Sequence, residues 1–251
     1  MEILKKLLED LPCYPIVDVR IGLHWTVAVV DTSQQLQSGL AATLGDRHDH
    51  QSSPDIPAAG ELTQYNSLEL AGWVLGDQMV QASVGLAVLN ASLPRYPDAW
   101  REANGEEVIA RYGHGRRVVL VGHFPFVPSL RTSVGELWVL EQHPLPGDFP
   151  AEAAPEVIPQ AEVVAITGMA LINHTLPDLL AHVNPEAFVI LLGPSTPLSP
   201  LLFEFGIDWL AGAILTKTEP VLQAVSQGAD FRQLHRFGVR LVNMARPGLE
   251  I

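Results

Sequence analysis

Cysteine occurs once in this chain of 251 residues, as Cys13. No internal disulfide can form, and a cysteine-rich zinc site is excluded. Basic residues are scarce: 15 lysines and arginines face 28 aspartates and glutamates, giving a net charge of −13. Both halves share the deficit, with 4 basic and 11 acidic side chains in residues 1–93 and 11 and 17 in residues 94–251. Neither half can lay down a basic stripe, so no nucleic-acid partner is expected. An acidic surface tolerates cationic ligands better than anionic ones. Long apolar runs are also missing. Stretches such as Ala187–Leu192 fall far short of the roughly 20 residues that cross a bilayer, so no membrane partner is expected. The N-terminal "MEILKKLLEDLPCYP" interrupts its apolar positions with acids and lysines, unlike a signal peptide. The expectation is a cytoplasmic protein.

Several catalytic signatures are absent. There is no G-x-x-x-x-G-K-[ST], and residues 94–251 hold a single lysine, Lys217, which excludes a P-loop NTPase. No G-x-G-x-x-G, H-E-x-x-H, C-x-x-C or G-x-S-x-G occurs, so NAD binding, zinc-protease, thiol-redox and serine-hydrolase chemistry lack their usual marks.

What the chain does have is apolar material for a core, 47% of its residues. Ile3, Leu4, Leu7, Leu8 and Leu11 share one helical face, and Pro12 and Pro15 stop that helix. "IVDVRIGLHWTVAVVD" (16–31) reads as two strands broken near Gly22, and "SGLAATLG" (38–45) as a third. Residues 46–60 read as a polar loop. Asn66 and Glu69 form a capping-box pair. Gly76 then Asp77 reads as the end of one helix and the N-cap of the next, which runs to about Asn90. Residues 1–93 are therefore expected to form a smaller α+β domain, with "LPRYPD" (93–98) as linker.

From residue 94 to 251 the pattern changes. Short, wholly apolar runs at Val118–Val121, Leu137–Leu140, Val163–Ile166, Phe188–Leu192, Ala213–Leu215 and Val239–Val242 alternate with capped helical segments. Strands apolar on both faces belong to a parallel sheet covered by helices. The expectation is a Rossmann-like α/β domain, in which ligands bind beyond the carboxyl ends of the strands.

The residues at those ends are the candidate site. "GHFPFVPS" follows the first strand, with Gly122 and Phe124. Glu141 ends the second, 19 residues past Gly122, near where a Rossmann domain holds a ribose. "TGMALINHT" follows the third, with Thr167, Asn173 and Thr175; a Thr175–Asp178 capping box would account for Thr175 without function. "GPSTPLSP" follows the fourth. There Gly193 allows close approach, Pro194 stiffens the loop, and Ser195 and Thr196 offer hydroxyls. The plainer reading of that loop is a helix start, with Pro197 after Thr196 or Pro200 after Ser199. For metal, "DRHDH" (46–50) offers His48 and His50 beside carboxylates, a set that suits a divalent transition metal. The plainer reading is a solvated loop.

"VVLVGHFPFV", "LWVLEQHPLPGDFP", "AITGMALINHTL" and "GPSTPLSPLLFEFGIDWLAG" together resemble the putative heavy-metal chelation family. "DVRIGLHWTVAVV", "GLAATL", "SLELAGWVL" and "ASVGLAVLNA" resemble the companion domain that precedes it. The resemblance implies an enolase N-terminal-like fold for the first domain, a Rossmann-like second domain, and a site in the cleft between them to which Asn90 would contribute. It implies a protein that binds or inserts a heavy metal or metal chelate. An enzyme acting on a nucleoside-containing or other small anionic molecule is the alternative, and a homo-oligomer built from the loops is a third reading.

Overall fold

The computed structural model describes residues 1–45 and 54–249. Helix α1 (Glu2–Glu9) buries Ile3, Leu4 and Leu7. A three-stranded antiparallel sheet follows, β1 (Ile16–Ile21), β2 (Trp25–Asp31) and β3 (Leu36–Ala42), in the order β1-β2-β3. Helices α2 (Ser67–Ala71) and α3 (Met79–Ser92) complete this part. The capping box of Asn66 and Glu69 is present at α2. Asp77 does not cap α3: Gln78 stands at the N-cap, and a short 3₁₀ helix, Gly72–Leu75, precedes it.

The larger sheet has eight strands in the order β4-β11-β10-β9-β8-β5-β6-β7. These are β4 (Arg101–Glu102), β5 (Arg117–Val121), β6 (Glu136–Glu141), β7 (Phe149–Pro150), β8 (Val163–Thr167), β9 (Phe188–Leu192), β10 (Trp209–Leu215) and β11 (Val239–Ala245). From β7 to β10 every pairing is parallel. β11 runs antiparallel to both β10 and β4. The helices between them are α4 (Gly105–Gly113), α5 (Val127–Ser133), α6 (Ala154–Val157), α7 (Leu176–Ala181), α8 (Thr218–Ser226) and α9 (Phe231–Phe237). The α/β, Rossmann-like expectation holds.

The apolar runs in the parallel strands have a direct cause. Val118 and Leu120 of β5, Val163 and Ala165 of β8, and Ile190 and Leu192 of β9 pack with Val108, Ile109, Val127 and Leu130 of α4 and α5. Their neighbours Val119, Val164, Ile166 and Leu191 enter a different core on the opposite face, with α6, α7 and the first part of the chain. Side chains alternate along a strand, so a sheet covered on both sides needs apolar residues at successive positions.

The first 93 residues are sutured to the rest in the same way. Ala28, Val30 and Ala41 face α3 and join the main core. Val27, Val29 and Leu40 face the other way and pack on Val221, Leu222 and Val225 of α8. Gly39 lets β3 lie directly on α3, since a Cβ there would fall on the carbonyl oxygen of Ala87 and the backbone nitrogen of Ala91. No described helix is long and apolar enough to cross a membrane.

Candidate functional site

In-register pairing places four strand ends on one rim. Val121 pairs with Leu140 and with Ile166, and Thr167 pairs with Leu192. The chain leaves β5 toward β6 on one side, and β8 continues to β9 on the other. The loops therefore diverge at the β5/β8 boundary, the switch point where open parallel sheets form a crevice. Gly122 turns out of β5 with φ +99°, a left-handed conformation that favours glycine.

A hollow of about 340 Å³ opens there. Of the sequence candidates, Gly122, Phe124, Glu141, Thr167, Asn173 and Thr175 line it. A second hollow of about 420 Å³, bounded by Gly193, Pro194, Phe126 and Phe231, lies on the α4/α5 side. Phe124 borders both hollows, and its ring stacks on Phe126 at 5.1 Å between centroids.

Local bonds set the first hollow. The Glu141 carboxylate accepts from the backbone N–H of His123 and from its neighbour Gln142, both at 2.8 Å. It therefore clamps the β5 and β6 loops together, and each oxygen keeps a lone pair for a ligand. Thr175 does not form the expected capping box with Asp178; α7 has no side-chain cap bond. Its hydroxyl donates instead to Asn173 Oδ1 at 2.7 Å, which leaves the Asn173 amide nitrogen as a donor. Between them, His174 adopts φ +60° and its Nε2 contacts the Val74 carbonyl at 2.7 Å. That contact ties the β8–α7 loop to the first part of the chain. Thr167 Oγ1 accepts from the Met169 N–H at 3.3 Å, holding the turn that opens the loop.

The other candidates lie elsewhere. Ser195 and Thr196 are each 2% exposed and stand at the seam with the first 93 residues. Ser195 Oγ accepts from the Ala42 N–H at 2.9 Å, and Asn90 Nδ2 donates to both Leu40 O and Ser195 O. Pro197 starts no helix, whereas Pro200 begins the 3₁₀ helix Pro200–Phe205 after Ser199. At Asn90, Ser195 and Thr196 the expected cleft between the two parts is a packed contact. The space bordered by Asn90 and Thr196 measures about 10 Å³, roughly the size of one water probe. The reason is the alternating burial of β2 and β3, which leaves that seam no room. The two hollows at the strand-end rim are lined, among the described residues, by residues 103–241, and a separate hollow of about 350 Å³ lies between Arg20 and α8, away from every sequence candidate.

The sequence analysis gives no site role to His123 or His182 and treats Asp178 only as a cap partner, yet all three line the first hollow. It also passed over Asp148, whose side chain is 1% exposed and bonded to His123 Nδ1 at 2.9 Å. Among the described residues, no three of His, Cys, Asp and Glu converge as a metal-binding cluster. His48 and His50 lie outside the described residues.

Two family models, both described as "Putative heavy-metal chelation", match residues 106–244 and 4–93. The first of them, DUF364, spans more than half of the chain, and the chain belongs to that family. A crystal structure of a DUF364-family protein of unknown function from Desulfitobacterium hafniense is similar at a TM-score of 0.83 and 25% identity, over 98% of each chain. Another of unknown function from Pyrococcus horikoshii has a TM-score of 0.75 at 20% identity, over 96% of this chain and 97% of that one. An uncharacterized protein of Methanocaldococcus jannaschii is 23% identical over 219 residues, covering 83% of this chain and 82% of its own length.

Proposed function

We propose that the hollow at the β5, β6 and β8 ends is a binding site for a heavy metal or, better suited to its size, a metal held in a small organic chelate. The supporting observation is convergence: Gly122, Glu141, Thr167 and Asn173, from three strand ends, border one hollow of about 340 Å³. A water molecule occupies roughly 30 Å³ of liquid, so the space exceeds what a bare ion needs and lies in the range of small-molecule pockets. The family description and the net charge of −13 favour a cationic or metal-bearing ligand. Metal analysis of untagged protein, with calorimetric titration of divalent ions and their small chelates, tests this. Saturable binding at one site per chain is expected. Binding no tighter than the buffer background would overturn it.

A second reading is an enzyme on a nucleoside-containing or other small anionic molecule. Glu141 at the end of the second strand favours it, with Asn173 as a donor. Thermal-shift screening of nucleotides, S-adenosylmethionine and acidic metabolites separates the readings, because only the second expects a shift without metal.

A further inference from the structure

The described residues offer no three-donor cage for a bare ion, yet one imidazole in the hollow is held as metal-ligating imidazoles are. His123 lines the hollow and its ring is 30% exposed. Nδ1 lies 2.9 Å from Asp148 Oδ2, and the same oxygen accepts from the Leu145 N–H at 3.1 Å. The other oxygen accepts from Arg131 Nη2 at 3.3 Å. A carboxylate has no proton to give, so the neutral ring carries its hydrogen on Nδ1 and leaves the Nε2 lone pair bare. The backbone N–H of the same residue is clamped by Glu141 at 2.8 Å. Ring and backbone are thus each fixed by a separate carboxylate.

A carboxylate behind an imidazole is the recurring support of a metal ligand; it sets the tautomer and the ring orientation. One pre-oriented nitrogen cannot hold an aquated ion tightly. It can complete the coordination of a metal whose other positions an organic chelator already fills. We infer that His123 Nε2 is the donor through which this protein binds a chelated metal, with Asp148 as its positioning residue. The inference rests on the proposed reading of the hollow and narrows it: the cargo is the chelate, and the protein contributes one nitrogen. The Asn173 amide nitrogen would then donate to carboxylate oxygens of the organic part, and the Glu141 carboxylate would accept from water left on the metal.

The probe is copper(II) nitrilotriacetate, titrated into untagged full-length protein by calorimetry and followed by electron paramagnetic resonance for nitrogen coupling. The wild type is expected to bind one equivalent with coupling from one imidazole. His123→Gln should weaken binding at least tenfold and abolish that coupling. Asp148→Ala should weaken it by about 10- to 100-fold, whereas Asp148→Asn, whose amide oxygen still accepts from Nδ1, should restore most of the loss. His182→Gln, in the same hollow, should bind as the wild type does. Unchanged binding by His123→Gln or by Asp148→Ala overturns the inference. If the wild type binds free zinc but not the copper chelate, the inference falls and the wider reading stands. If it binds neither, both fall.

Discussion

Ser195 Oγ accepts a hydrogen bond from the Ala42 backbone N–H at 2.9 Å across 153 positions of sequence, and both groups are buried. The loop after β9 is thereby pinned to the end of β3. Ser195→Ala removes the acceptor and leaves a buried N–H without its partner, which costs about 1–3 kcal/mol. An unfolding free energy lowered by that amount in urea titration is expected, read as a lower midpoint at unchanged slope, with binding at the β5/β8 hollow unchanged. Lost binding at unchanged stability would place Ser195 in the site after all.

We propose residues 1–93 and 94–251 as the two units of the chain, and the shared cores give them a thermodynamic consequence. Val27, Val29 and Leu40 pack on α8, which lies in the second unit. A fragment of residues 1–93 would expose them all, at roughly 1.5–3 kcal/mol for each large side chain. Dispersed amide resonances are expected from the full chain and not from the fragment. A fragment with native-like dispersion would show that the first unit is self-sufficient.

Glu141 joins two loops by accepting from His123 and Gln142. Glu141→Ala should free both amides. At about 1 kcal/mol for each bond, several-fold faster hydrogen exchange is expected at these two positions, with the strand interiors unaffected. Uptake of copper(II) nitrilotriacetate should weaken in the same variant, because the backbone of His123 is released. Unchanged exchange would mean that the carboxylate does not hold the loops.

The pairing of β5 with β6 carries a pH-dependent element at the opposite end of the strands. Hydrogen bonds from Arg117 and from Trp138 Nε1 lower the carboxyl pKa of Glu136. A depressed folded-state value contributes stability that is present above the unfolded carboxylate range and is lost as pH falls through the folded value. The melting temperatures of wild type and Glu136→Gln should therefore differ at neutral pH and converge in acid. A difference independent of pH would assign the effect to packing of Arg117 on Trp138, 4.6 Å from the ring centroid.

How much of this was legible in the sequence follows from the range of each signal. The alternating faces of β5, β8 and β9 are written in successive apolar residues, and the Asn66–Glu69 cap spans three positions, so both could be read. The two-residue edge strands β4 and β7 carry too little pattern to register. Thr175 looked like a helix cap because Asp178 follows at the right spacing; the competing acceptor, Asn173, also lay within the same loop. Ser195 and Thr196 were correctly placed past a strand end. The bonds that tie Ser195 to Ala42 and Asn90 span more than 100 residues, which local pattern cannot show. The His123–Asp148 pair was missed for a similar reason: 25 residues and strand β6 separate them, and a lone histidine after a strand has no local mark of its partner.

What occupies the β5/β8 rim decides the function proposed for this protein. A crystal soaked with copper(II) nitrilotriacetate and measured at the copper absorption edge tests it most directly. One dominant anomalous peak is expected, within coordination distance of His123 Nε2 and inside the hollow bordered by Gly122, Glu141 and Asn173. A peak at the seam beside Asn90, or copper scattered over other histidines with none at this rim, would contradict it.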